Sequence, residues 1–181
     1  MEIQGAAYLY ALAALGMAFL SFTAVVVIIR QTFGTTGLSQ IQLLITQVLI
    51  EHGYVVVGFS VAPLLLALFN LPHDTVWRVS SAIAAVTIAS WSAIYGLWRY
   101  PAVRAQRHPL FARINFAMTG AAVIVLLSNS IGYPLSPQVG PYALAITWIL
   151  FEGANIFLLS IKAFLREPKS QLKASRSSRR K

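Results

Sequence analysis

Glu51, His52 and Glu152 are ionisable side chains set within long apolar runs. Such a residue costs roughly 2.5 to 3.5 kcal/mol at the centre of a membrane helix, so each calls for a function or a partner. A carboxyl taken out of water beside a second carboxyl can hold and exchange a proton, or bind a cation. That is the chemistry of proton relays and cation pathways. Gln47 lies four residues before Glu51, and Asn155 three residues after Glu152. The amides fit two readings. They line a pathway, or they hydrogen-bond the carboxyls (Glu51 to Gln47, Glu152 to Asn155) as glue between helices.

The elements that must position these groups follow from composition. Apolar residues make up 57% of the 181 and charged residues only 10%, against about a quarter charged in soluble domains. Mean hydropathy is +0.70. A soluble domain of this size cannot bury so much apolar surface, and disorder is excluded for most of the chain. A bilayer protein remains. A span needs about 20 apolar residues, and five stretches qualify: about 5–29, 41–69, 76–98, 110–133 and 142–161. The first starts from Met1-Glu2, without a basic leader or cleavage site, and reads as a retained helix. Short links join the spans, and Asp74 or Thr75 is placed to cap the third helix.

Charge sets the orientation. The net charge is +9, and the segment Lys162–Lys181 holds eight basic residues and one acid, Glu167. With that end inside, five spans put the N-terminus outside. Arg30, Arg99, Arg104, Arg107, Arg113 and the tail are then inside, and only Arg78 is outside. The expected architecture is all-α: a polytopic transmembrane helical bundle of five spans over 1–166, N-terminus outside and C-terminus inside. Residues 167–181 form a basic cytoplasmic tail, disordered by composition. Lys169, Lys173, Arg176, Arg179, Arg180 and Lys181 anchor the topology, or bind anionic lipid at about 1 kcal/mol each. The high pI belongs to this tail and not to a nucleic-acid-binding face.

Helical spacing groups the polar residues into stripes. On the second span, Gln40, Gln47, Tyr54 and Gly58 lie within about 60° of Glu51, whereas His52 points about 100° away. Trp148, Glu152 and Asn155 align on the fifth span, Asn115, Ala122, Asn129 and Tyr133 on the fourth, and Ser80, Ala84, Thr87, Trp91 and Tyr95 on the third. These stripes should face the bundle interior or a neighbouring subunit. Glu51 and Glu152 each come out about 15 Å deep. If the membrane begins at Val48, Glu51 lies at the cytoplasmic interface instead. Trp77 and Trp98, at span ends, read as interfacial anchors. Trp91 and Trp148 are deeper and should pack the bundle.

Other chemistry has little support. With no Cys, thiolate chemistry and Cys-ligated metals are excluded. The three histidines form no pair at one depth for haem and show no metal-ligand spacing. No HExxH, GxSxG or P-loop occurs. We therefore expect no enzyme activity, cofactor or metal. The words Arg30-Gln31-Thr32, Glu51-His52-Gly53-Tyr54-Val55-Val56 and Val76-Trp77-Arg78-Val79-Ser80-Ser81 resemble a group of short bacterial multi-pass membrane proteins. The resemblance implies a bacterial inner-membrane setting and brings no residue role. Two functions then compete, and the cost of keeping two carboxyls at one depth as mere glue tilts the reading to the first. One is a small proton or monovalent-cation channel or transporter using Glu51 and Glu152, with Gln47, Asn155, Asn129 and His52 as further candidates. The other is a non-catalytic accessory or assembly subunit, in a homo-oligomer or a larger membrane complex. Polar faces converging on a wet cavity favour the first. A polar face left open to lipid favours the second.

Overall fold

The computed structural model describes residues 5–33, 40–99 and 109–165. The basic tail, with Lys169, Lys173, Arg176, Arg179, Arg180 and Lys181, lies outside the described residues, as does the loop carrying Arg104 and Arg107. The described elements are all helical: α1 (Ala6–Phe33), α2 (Gln40–Ala67), α3 (His73–Ile94), α4 (Pro109–Ile131) and α5 (Val139–Leu165). A π-helical turn, Tyr95–Arg99, continues α3. Five helices carry segments of 19 to 26 residues that are long and apolar enough to cross a bilayer. One end of the bundle holds the starts of α2 and α4, with Arg113, and is called the basic end here. The other holds the turns with Pro72, Pro134 and Pro137.

Local chemistry sets the helix starts. α3 begins directly after Pro72, whose φ of −53° already suits a helix entry, and no side chain caps it. Asp74, expected at the cap, instead lies in the first turn, where its charge complements the helix dipole. Before this turn Asn70 takes a left-handed φ of 54°, a conformation that Asn tolerates better than most residues.

The helices α2, α3, α4 and α5 close a ring in which each packs on its neighbours, and α1 lies across the α2–α5 seam. The α1–α2 contact is close because Gly53 faces Leu20 and Gly16 faces Val56 and Val57. The ring's core is aliphatic and aromatic: Val56, Ile88, Leu126, Ile146, Ile149 and Tyr142 are buried. Trp77 corrects the expectation of an interfacial anchor. It is 0% exposed, packs on Tyr142 at 5.7 Å and donates its indole N–H to His73. Position near a span end does not fix which way a ring points, and the first turn of α3 aims this one at the bundle axis.

Much of the described surface is apolar, and many of the polar residues are inside. Tyr10, Phe22, Leu65, Ile124, Leu144 and Phe151 are exposed, while Ser80, Ser81, Asn115, Thr119, Asn129 and Glu152 are buried. That distribution is compatible with a membrane protein, since lipid covers such a surface and water does not. Asn129 shows what the interior polar groups do for the fold. Its amide N–H groups reach Ser81 Oγ at 2.8 Å and the Gln138 carbonyl at 3.1 Å. Its Oδ1 accepts the Gln138 N–H at 3.0 Å. One side chain thus ties α4 to α3 and to the turn before α5. Asn129→Ala removes all three bonds and should destabilise the protein by roughly 1 to 3 kcal/mol. Unfolding by SDS from mixed micelles reads this directly, and an unchanged midpoint would contradict the assigned role.

Candidate functional site

The polar residues of the middle of the bundle are arranged around one helix contact. Gly153 of α5 lies against His52 of α2, and a Cβ at Gly153 would stand 3.1 Å from His52 Cβ. Glycine is what allows this approach. Glu51 and Glu152 are the residues next to the contact, one on each helix. The contact therefore brings both to neighbouring levels of the bundle. Counted from the proline end, Glu51 is 16 residues, or about 24 Å, along α2, and Glu152 is 13 residues, or about 20 Å, along α5.

The two carboxyls face different neighbours. Gln47 donates to Glu51 Oε1 at 2.9 Å, and the Trp91 indole of α3 donates to Glu51 Oε2 at 2.8 Å. Glu51 is half-buried in the α2–α3 seam. Glu152 is buried and turned to α4, where the Thr119 hydroxyl donates to Oε2 at 2.7 Å. The pairing is therefore with Thr119 rather than with Asn155, which is half-buried on the next turn of α5.

His52 occupies the space between. It is 2% exposed, and its ring meets Trp91 edge-on with centroids 4.6 Å apart. Nδ1 lies 2.8 Å from the Val48 carbonyl, one turn back, so that nitrogen carries the proton in the neutral ring. Nε2 is buried without a protein partner. Trp91 in turn stacks on Tyr95 in the π-turn, and Tyr95 packs on Phe116 of α4. Among the described residues, no three His, Asp or Glu side chains group as a metal site.

The stripes do not all turn inward. Asn115, Ala122 and Asn129 of α4 are buried. Asn129 belongs to the proline end, about 15 Å along α4 from Thr119. On α2 the stripe faces away from the interior: Gln47 and Gly58 are exposed, and Tyr54 is 66% exposed. His52, outside that stripe, turns to the interior, as Val56 and Ser60 of α2 do. A cavity of about 160 Å³ opens between α4 and α5. Met118, Val125, Leu144 and Trp148 are among its lining residues, a wall that suits a lipid chain and not a hydrated ion.

Thr119 and the donor role of Trp91 are additions to the sequence reading. The signal for Thr119 was present, since it falls one turn from Asn115 and Ala122 on their stripe. A lone Thr in an apolar helix, however, also bonds its own backbone, as Thr23 and Thr46 do here.

No protein-family model, curated protein or solved structure matches the chain. The site is therefore read from its own geometry.

Thr119→Val keeps the shape and removes the donor to Glu152. It should lower stability by roughly 1 to 3 kcal/mol. Glu152→Gln still offers an acceptor oxygen to Thr119, so it should cost less than Thr119→Val. Unfolding midpoints of both variants in the same micelles check the order, and the reverse order would contradict the pairing.

Proposed function

We propose that the chain is a non-catalytic subunit of a membrane assembly. In this reading five spans hold it in the bacterial inner membrane, with the N-terminus outside and the basic tail in the cytoplasm. The segregation of Lys and Arg supports that orientation. The observation that carries the reading is the outward flank of α2. Gln47 and Tyr54 present an amide and a phenol on the outer side of α2, the largest polar groups exposed in the middle of a helix. Elsewhere the exposed polar groups include the small hydroxyls of Ser21, Thr87 and Ser90 and the tyrosines Tyr8 and Tyr10 near the start of α1. An amide facing hydrocarbon without a full set of partners is unfavourable, and a partner protein removes the penalty. The interior points the same way. Both glutamates and Asn129 are bonded between helices, Thr119 with Glu152, Trp91 with Glu51 and Asn129 with Ser81. The layer on the proline side of Glu152 is filled by Ile146, Ile149 and Leu126.

A photoreactive residue at Tyr54, introduced in the full chain in cell membranes, should give a protein adduct. The same residue at Met17, exposed on the apolar outer side of α1, should react with lipid alone. Equal yields at both positions would overturn the assembly reading.

A second reading is favoured by His52. A buried imidazole nitrogen without a donor, one residue from Glu51 and in contact with the helix of Glu152, is a proton acceptor in waiting. On that reading the chain passes protons or monovalent cations. Proteoliposomes with an internal pH dye should then show flux that is lost in Glu51→Gln or Glu152→Gln. Folded wild-type protein without flux would remove it.

A further inference from the structure

We infer that the partner on the outward flank of α2 is a second copy of this chain, paired in parallel about a two-fold axis along the bilayer normal. The inference rests on the assembly reading above and names its occupant. The flank consists of Leu43, Gln47, Tyr54, Gly58 and Leu65, all exposed, with Glu51 at its edge. Their spacing alternates four and seven residues, which keeps them on one side of the helix and matches a helix–helix seam.

Two copies inserted with one orientation meet residue for residue at equal depth. Only self-complementary side chains fit such a contact, and the flank supplies them. A carboxamide has two N–H donors and a carbonyl oxygen. Gln47 uses one N–H on Glu51 of its own helix. The second N–H and the oxygen can close a reciprocal pair with the same amide of the twin. The Tyr54 hydroxyl is likewise both donor and acceptor. Glu51 would repel its counterpart, but the Trp91 indole holds its carboxyl toward α3 and off the seam. Gly58 leaves a notch: beyond its chain neighbours and the backbone of its own helix, nothing lies within 4 Å of the place a Cβ would take. Two such notches opposite each other let the helices approach. Leu43 and Leu65 close the seam at either end with apolar contact.

The full chain contains no cysteine, so single-cysteine variants report proximity cleanly. In vesicles of phosphatidylethanolamine and phosphatidylglycerol, Tyr54→Cys and Gly58→Cys should oxidise to dimers, whereas Met17→Cys on α1 and Leu144→Cys on α5 should not. Energy transfer between labelled copies, followed on dilution with lipid, should show a dimer. Gln47→Leu should weaken it by about 3- to 30-fold, the range for one interhelical amide bond. Gly58→Leu should weaken it too, by filling the notch. A monomer at every dilution, or equal crosslinking at the four positions, would overturn the inference. If α2 then still gives adducts with a different protein in cell membranes, the assembly reading survives and the second copy is wrong. If it gives none, both fall.

Discussion

The approach of α2 to α5 at Gly153 sets the middle of this bundle. No side chain stands between the α5 backbone and His52, so the imidazole fills the gap and lies on the helix beside it. That fixes the rotation of α2. With His52 turned to α5, Glu51 must point to the α2–α3 seam, where Trp91 meets it. Glu152, one residue before the glycine, must turn away from α2 and toward Thr119 on α4. Two carboxyls at neighbouring levels thus end in separate environments, each with its own donors.

These pairings answer a solvent problem. Where water is absent a polar group has nothing else to fall back on. Ser60 and Ser80 Oγ, Trp148 Nε1 and His52 Nε2 are buried without a partner among the described residues, whereas several interior groups take one from another helix. Asn129, Thr119, Trp91 and Tyr142 all do so, the last by donating to the Phe59 carbonyl of α2 at 2.6 Å. A net bond of this kind is worth only about 1 kcal/mol, yet a buried group left alone costs more. The pairs therefore select one packing among many aliphatic ones. They work as registers for the helices whatever else Glu51 and Glu152 do.

Much of the fold was legible because apolar length is additive along the chain. Five helices with the capacity to span a bilayer follow from runs of residues, with ends shifted by a few positions. Which stripes line up with one another was also legible, because a helix fixes relative angles. What the sequence leaves open is the absolute rotation of each helix. Spacing placed Gln47, Tyr54 and Gly58 on one face but could not say that this face looks outward. That depends on Gly53 meeting Leu20 and Gly153 meeting His52, contacts between residues far apart in the chain. Trp77 illustrates the same limit. Its place near a span end suggested the interface, whereas its packing partner, Tyr142, comes from another helix 65 positions later.

α2 shows what the rotation of a helix leaves exposed. It has three neighbours: α1 on the Gly53 side, α5 on the His52 side and α3 at Glu51. The directions so occupied leave one flank open, and that flank is the one with an amide, a phenol and a glycine. α1 also has an open side, where Leu15, Phe22, Val25 and Ile29 face outward; Tyr10 is exposed near the helix start, and the exposed Ser21 hydroxyl bonds the Met17 carbonyl of its own helix. Had α2 needed only lipid on its fourth side, aliphatic residues would have served as they do on α1. The difference between the two helices lies in the middle of their open sides, aliphatic and aromatic on α1 and carrying an amide and a phenol on α2, and the proposed assembly rests on it.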